Sequence, residues 1–324
     1  MSYWFTVAAL AGINVILAYS VYASFMSGQI SLGQVAFFGI GAYIGASLTV
    51  LGGFDLLTAM ALAGTAAALL SLGLGIPTLR LKGYHFTIAT VAFAEAVRVI
   101  LHNVRYGRPR DSSLAGDQWL GPDGPTGFRH ISYLKDKDIT SGEFALMVWL
   151  IVLLVIAVFF VIERSRIARV LRTIEEDEVI ARAIGVPVAR YKVIAFAFGG
   201  LLAGMAGALH AHLLTFISGS DFIIHASTIA LAFVVIGGGQ TMWGPLIGAT
   251  IFTVLPEWLR PIKDFRIEMF GLLIIMVMLF RPTGIISAAL VRRWSARIVG
   301  WMTATDRRSV LAKDEQCSSP SSKV

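Results

Sequence analysis

Residues 174–187 carry the most informative polar pattern of this sequence. The segment opens with the run I-E-E-D-E and ends with Gly185 and Pro187. Acidic residues stabilise the positive first turn of a helix, glycine favours the left-handed cap that ends one, and proline prevents continuation. The pattern therefore predicts one short helix over residues 174–184. Its positions Ile180, Ala183 and Ile184 share a face at i, i+3 and i+4 spacing, and by periodicity alone this face would lie on lipid headgroups.

A second group of polar residues interrupts apolar stretches elsewhere in the chain. Glu95 and Arg98 stand at i, i+3 spacing, which suits an ion pair on one helix face, with contact to a substrate as the alternative. Polar groups inside a membrane are costly and therefore suggest function. Four uncharged residues either line a pathway or form hydrogen bonds between helices: Asn14, Gln34, Thr87 and Thr90.

Several kinds of site have little support in the sequence. His210 and His212 are two residues apart, a poor spacing for metal ligands on a helix, and we expect both to be interfacial residues. No Ser, His and Asp set can be brought together, so no enzyme chemistry is predicted, and no G-x-x-x-x-G-K-[ST] phosphate loop is present. The single cysteine, Cys317, excludes an intrachain disulfide. We predict no metal, no cofactor and no nucleic-acid binding, since no basic face is interleaved with aromatics.

The elements that position these residues are membrane helices. Of the 324 residues, 56% are hydrophobic and 15% charged, with a mean hydropathy of +0.74, whereas soluble domains carry about 25% charged residues. A spanning helix needs about 20 mostly apolar residues. We predict an all-α integral membrane protein of about eight to nine spans, with the seventh and eighth Gly-rich and short or broken: 3–23, 30–50, 56–76, 86–102, 144–162, 191–213, 225–237, 245–258 and 267–280.

Charge divides the segments between the spans. Arginines concentrate in residues 163–190 and after the last span, which predicts that both are cytoplasmic. Residues 103–142 form a polar loop of mixed charge, expected on the external side. We therefore divide the chain into a transmembrane domain, residues 1–290, and a cytoplasmic, disordered tail, residues 291–324. The first apolar stretch lacks a basic leader and is expected to be a retained helix.

Small residues follow one another through the second and sixth predicted spans. Gly39, Gly41 and Gly45 lie in the second, and Gly204 and Gly207 in the sixth. Small faces let membrane helices approach closely. We expect close packing at these glycines, with the lining of a pathway as the alternative.

Five further blocks occur in an order that is typical of one transporter family. They are S-G-Q-I-S-L-G-Q-V-A-F at 27–37, P-T-L-R-L-K-G-Y-H-F at 77–86, G-P-T-G at 124–127, V-I-G-G-G at 235–239 and F-R-P-T-G at 280–284. The A-R-A-I-G run at 181–185 resembles the end of the E-A-A-x-x-x-G coupling loop of ABC importer permeases, with Val179 at the motif's first position and Glu178 one residue early. Together they resemble the M-type permease of branched-chain amino-acid importers.

The resemblance implies a subunit of a bacterial inner-membrane importer with a cytoplasmic C-terminus. Its expected partners are a second related permease, two cytoplasmic ATPase subunits, an external solute-binding protein and the bilayer. The ATPase-coupling residues it implies are Glu176, Asp177, Glu178, Ile180, Ala181, Ala183, Ile184 and Gly185. It implies a leucine-like cargo, although similar permeases carry urea, amides or aromatic acids.

A secondary transporter or channel that works alone is the alternative function. Such proteins place Gly-broken short helices at the midplane, and residues 237–248 have that composition. The predicted 174–184 helix distinguishes the two, because an autonomous transporter does not need it.

Overall fold

A computed structural model of the chain describes residues 2–78, 83–109, 119–129, 131, 133–258 and the single positions 271, 275, 279 and 284. The predicted span 267–280 falls mostly outside these residues, and the predicted tail 291–324 entirely so. The described chain is mainly helical. Its helices are α1 Ser2–Phe25, α2 Gln34–Val50, α3 Leu56–Thr78, α4 Tyr84–Asn103, α5 Tyr133–Asp136, α6 Ser141–Arg164, α7 Arg166–Glu176, α8 Glu178–Ala183, α9 Val188–Leu214, α10 Ile224–Gly237 and α11 Trp243–Trp258.

Five helices of the described chain are long and apolar enough to cross a membrane: α1, α3, α4, α6 and α9. The apolar helices α2 and α10 are shorter, with 17 and 14 residues. The seventh and eighth predicted spans correspond to the short helices α10 and α11. Neither helix is broken within its bounds. The protein is therefore a multi-pass helical membrane protein.

Helix α9 is the central element of the bundle and packs against α1, α2 and α3. The prediction of close packing is confirmed at its contact with α2. A Cβ atom on Gly41 would lie 2.2 Å from the carbonyl oxygen of Gly204, and one on Gly207 would lie 1.9 Å from that of Phe38. No side chain fits at such distances, so the two backbones touch directly.

Helices α10 and α11 form a hairpin against α1. Its backbones also approach closely, because a Cβ atom on Gly248 would lie 1.9 Å from the carbonyl oxygen of Phe233. Gly238 ends α10 with φ +114°, and the Tyr19 hydroxyl of α1 donates to the Met242 carbonyl at 2.7 Å. The turn of the hairpin is thereby fixed near the end of α1.

The predicted loop 103–142 adds a small sheet to a chain that is mainly helical, as predicted. It contains a three-stranded antiparallel sheet, in the order β1 Arg108–Pro109, β2 Trp119–Pro122 and β3 Phe128–Arg129. Gly121, at φ +128°, makes this possible: a side chain there would meet the Tyr106 carbonyl oxygen at 2.4 Å. Strands of two to four residues are too short to show an alternating pattern.

Candidate functional site

The polar segment 163–190 forms a helical bracket between the long helices α6 and α9. Ser165 caps α7, and its hydroxyl accepts a hydrogen bond from the Ile167 amide at 3.1 Å. The apolar positions of α7 recur at helical spacing, so Ala168, Leu171 and Ile174 are buried. An ion pair of 2.8 Å between Arg172 and Glu163 holds α7 to the end of α6.

The predicted single helix over 174–184 is wrong in one respect, since the chain breaks at Asp177. This residue is extended, at φ −154° and ψ 110°. Its carboxylate accepts hydrogen bonds from the Val179 and Ile180 amides at 2.7 and 3.1 Å. Asp177 therefore caps a new helix, α8, because its short side chain satisfies amides that have no partner within the helix. Glu176 ends α7, and Glu178 begins α8.

The predicted C-terminal cap is confirmed. Gly185 has φ +84°. The Val186 amide donates to the Ala181 carbonyl at 3.1 Å and the Gly185 amide to the Arg182 carbonyl at 3.0 Å. These two bonds are those of a Schellman motif. The chain then turns at Pro187 directly into α9.

Helix α8 has a buried side and an exposed apolar side. Ala181 is fully buried in a small cluster with Ile174 of α7 and Val188 of α9. On the outer side Val179, Ile180 and Ile184 are 70%, 58% and 66% exposed, and Ala183 is exposed beside them. We call these four residues the α8 apolar face.

Charged contacts fix α8 to α9. Glu178 accepts from Lys192 of α9 at 2.9 Å and also pairs with Arg182, one turn along α8. Lys192 is only 12% exposed, so this pair is shielded from solvent more than an ordinary surface pair. The two ends of α8 and its inner side are therefore all fixed to neighbouring elements.

The bracket contacts the loop between α1 and α2, residues 26–33. Gly28 of that loop has φ +72°, and a Cβ atom there would lie 3.2 Å from the Glu175 Cα atom. Burial raises the pKa of the Glu175 carboxyl, with Arg172 acting in the opposite direction. The sequence showed Gly28 only as part of a motif, and nothing in it indicated this contact.

Three of the uncharged polar residues singled out in the sequence lie around the 26–33 loop. Thr87 of α4 donates to the Ile30 carbonyl at 2.9 Å, and the Thr90 hydroxyl accepts from the Leu32 amide at 3.3 Å. Gln34 donates through Nε2 to the Ser24 hydroxyl at 2.8 Å. Its Oε1 atom is buried, with no hydrogen-bond partner in the described chain. Asn14 lies apart and donates to Thr253 of α11 at 3.0 Å.

Glu95 and Arg98 form the predicted ion pair on α4. The Arg98 Nε atom donates to the Glu95 carboxylate at 2.8 Å. The Glu95 side chain is 51% exposed and the Arg98 side chain 26%. The pair lies on the outer side of α4, where Ile88 and Val99 are also exposed.

The two histidines of α9 lie inside the bundle, against α2. His212 is fully buried, with its Nε2 atom 2.9 Å from the Thr49 hydroxyl of α2 and its Nδ1 atom against the Ala208 carbonyl. His210 packs against the Phe38 ring at 5.0 Å between centroids. Both rings therefore fill the contact between α9 and α2. In the residues that the structure describes, no group of three or more potential metal ligands occurs.

Comparison with known proteins gives one consistent result. The chain is 30% identical over 287 residues to the high-affinity branched-chain amino acid transport system permease protein LivM of Salmonella typhimurium, and equally to LivM of Escherichia coli K12. The match covers 85% of this chain and 66% of each relative, so the chain spans just under two thirds of their length. No solved structure matches the chain.

The family model described as "Branched-chain amino acid transport system / permease component" matches residues 3–281. That range contains α2 to α11, all of α1 except its first residue, the bracket and the 26–33 loop. The match therefore covers the whole described fold. The chain belongs to the branched-chain amino acid transport system permease family.

Proposed function

We propose that this chain is a membrane-spanning permease subunit of an ATP-driven importer of branched-chain amino acids. Family membership supports the transport role. The observation that carries the ATP-driven part is the α8 apolar face, presented on a helix that is fixed on its other sides. The chain has no nucleotide-binding loop of its own, so ATP would be hydrolysed by separate subunits.

The α8 apolar face suits a protein groove on an ATPase subunit. Three aliphatic side chains, on a six-residue helix and its C-cap residue, are each at least 58% exposed and form a compact patch, and exposed apolar patches mark interaction sites. Glu176, Asp177 and Glu178 border the patch, and the exposed Glu176 supplies charge at its rim, because Asp177 caps α8 and Glu178 is paired with Lys192. In this proposal Ala181 and Gly185 shape the helix, whereas Ile180, Ala183 and Ile184 contact the partner.

A mechanical connection leads from α8 to the interior of the bundle. Movement of the bracket would be transmitted by the backbone contact of Glu175 with Gly28 and then by the hydrogen bonds of the 26–33 loop with Thr87 and Thr90. Gln34 follows the same loop, and its free Oε1 atom offers an acceptor in a buried place. We propose this loop as the element that changes between the two access states.

The Glu95–Arg98 pair supports assembly with a second permease subunit. A charged pair in the middle of a 20-residue apolar helix is costly against lipid. The cost falls if this side of α4 faces another protein or a water-filled pathway between two subunits. We therefore assign the outer side of α4 to that contact.

The orientation follows from the arginines of the bracket. Residues 163–190 would be cytoplasmic, which places the opposite end of the bundle, with the small sheet, outside. There the Tyr133 hydroxyl donates to Asp55 at 2.9 Å, and Lys137 lies 3.5 Å from the same carboxylate. These contacts fix part of the external segment to the bundle as a surface for a solute-binding protein.

The experiment compares variants of the α8 apolar face in the complete transporter. The chain is expressed with its neighbouring permease, ATPase and binding protein, and ATP-dependent uptake of labelled leucine into vesicles is measured. The double variant Ile180→Asp/Ile184→Asp places charge on the face without touching the buried side of α8. Ile180→Leu/Ile184→Leu is the matched control, because it keeps the apolar surface.

Three results are informative. We expect the aspartate variant to insert normally, to lose the ATPase in co-purification and to lose uptake at least tenfold, while the leucine control retains both. Leucine uptake by this chain alone, without nucleotide, would contradict the importer and favour an autonomous transporter or channel. ATP-dependent transport of another solute but not of leucine would support the proposed mechanism and contradict the proposed cargo.

A further inference from the structure

An apolar cavity of about 170 Å³ lies between α1, α6, α7 and α9, at the end of the bundle that carries α8. Every residue of its wall has an apolar side chain except Tyr191, which contributes a phenol. The residues that define the cavity for this argument are Phe159, Ile162, Ile167, Leu171, Ile194 and Phe198. The cavity takes no part in the coupling contacts described above.

The composition of the wall selects a hydrocarbon ligand. An apolar cavity of about 150 Å³ lined by similar residues stays free of water and binds a small hydrocarbon. This cavity is also open to the side, since Ile167 and Ile194 on its rim are 49% and 65% exposed. Helix α6 also exposes Leu154, at 60%, about two turns before Ile162. Hydrocarbon chains of the bilayer therefore reach the opening directly.

Three exposed arginines lie close in sequence to residues of the cavity wall. Arg164 follows Ile162 in the last turn of α6 and stacks on the Phe160 ring at 3.9 Å. Arg166 immediately precedes Ile167 at the start of α7. Arg190 stands one helical turn before Ile194 on α9, at i, i+4 spacing. The nearby carboxylate of Glu163 is already paired with Arg172, so the charge around the opening is positive.

We propose that this cavity binds the headgroup-proximal part of one acyl chain of an anionic phospholipid, whose phosphate lies among Arg164, Arg166 and Arg190. The apolar wall gives affinity for the chain, and the arginines select the anionic headgroup. The position of the opening, at the end of α6, matches the depth at which acyl chains join their headgroups. This site does not depend on the proposed ATP-driven mechanism.

Lipid retention by the purified full-length chain tests the proposal. The protein is delipidated in detergent, incubated with an equal mixture of phosphatidylglycerol and phosphatidylcholine, and analysed by native mass spectrometry. Ile194→Trp fills the opening from its exposed edge. Leu153→Trp is the control, because it adds the same ring to the exposed side of α6 away from the cavity wall. Arg166→Gln/Arg190→Gln removes headgroup charge, and Arg166→Lys/Arg190→Lys retains it.

We expect the wild-type chain to retain one phosphatidylglycerol in preference to phosphatidylcholine. Ile194→Trp should reduce that retention at least fivefold and Leu153→Trp should leave it unchanged. The glutamine pair should reduce the preference by about fivefold for each arginine removed, and the lysine pair should retain most of it. Equal retention of both lipids, or full retention by Ile194→Trp, would overturn the proposal. Release of the lipid when the partner subunits bind would show that a protein, and not a lipid, occupies the cavity in the assembled transporter. That result would overturn the proposal as well.

Discussion

Glu175 and Gly28 meet backbone to backbone: a Cβ atom on Gly28 would lie 3.2 Å from the Glu175 Cα atom. Gly28 has a positive φ of 72° and lies in the loop between α1 and α2. Glu175 lies in the last turn of α7, two residues before the cap of α8. The bracket therefore contacts the loop between α1 and α2 at a point where no side chain separates the two segments.

The first prediction concerns Gly28→Ala. An alanine there costs about 1–2 kcal/mol for its left-handed conformation and also pushes the Glu175 backbone away. Gly53→Ala is a matched control, because Gly53 has φ +66° but nothing within 4 Å of its Cβ position. We expect a loss of thermal stability in both variants, larger for Gly28→Ala, and a reduced ratio of leucine uptake to ATP hydrolysis only for Gly28→Ala. An unchanged ratio in both would contradict a coupling role for this contact.

The second prediction is a pH dependence that originates at Glu175. Burial raises the pKa of this carboxyl above the 4.5 that is usual for glutamate. The folded state therefore favours the protonated form, and ionisation removes stability as the pH rises through the raised pKa. Glu175→Gln should increase the thermal unfolding temperature at pH 8, and the increase should shrink as the pH falls towards 4.5. An increase of equal size at both pH values would show that ionisation is not its cause.

The helix break at Asp177 shows where sequence reasoning reached its limit. The run E-E-D-E predicts an acidic first turn, and the cap at Gly185 and the turn at Pro187 are local signals that the structure confirms. Asp is also a strong N-cap residue, so the signal for a break was present. The sequence alone does not decide which of four neighbouring acidic positions leaves the helix. That choice depends on burying Ile174 and Ala181 in one cluster with Val188.

Contacts between distant segments were the other part that the sequence could not supply. The glycines of α2 and α9 predicted close packing, and Gly41 with Gly204 shows it. The partner of each glycine is set by helix rotation and depth, which apolar periodicity in an almost uniformly apolar span does not define. For the same reason the contact of His212 with Thr49 of α2 could not be predicted.

The third prediction concerns the cap of α8. Asp177→Ala removes the acceptor of two amide hydrogen bonds, which costs about 1 kcal/mol of helix stability. Asp177→Ser retains a capping oxygen and should lose much less. Hydrogen exchange of the peptide that covers α8 measures this directly, and we expect about fivefold faster exchange in the alanine variant. Equal exchange in the two variants would mean that the buried side of α8, and not its cap, maintains the helix.

The fourth prediction uses two helical glycines with opposite surroundings. Gly248→Ala in α11 would place a Cβ atom 1.9 Å from the Phe233 carbonyl oxygen, whereas Gly73 in α3 has nothing within 4 Å of that position. Alanine is favoured over glycine in a helix by up to about 1 kcal/mol, but separation of a packed helix pair costs about 1–3 kcal/mol.

We therefore expect Gly248→Ala to lower the thermal unfolding temperature of the detergent-purified chain and Gly73→Ala to leave it unchanged or to raise it. The two substitutions change the same atoms in the same type of secondary structure, so the difference measures the close contact of α10 with α11. A decrease of equal size in both variants would show that this contact does not stabilise the hairpin. An increase in both would show that α10 and α11 can separate at no cost.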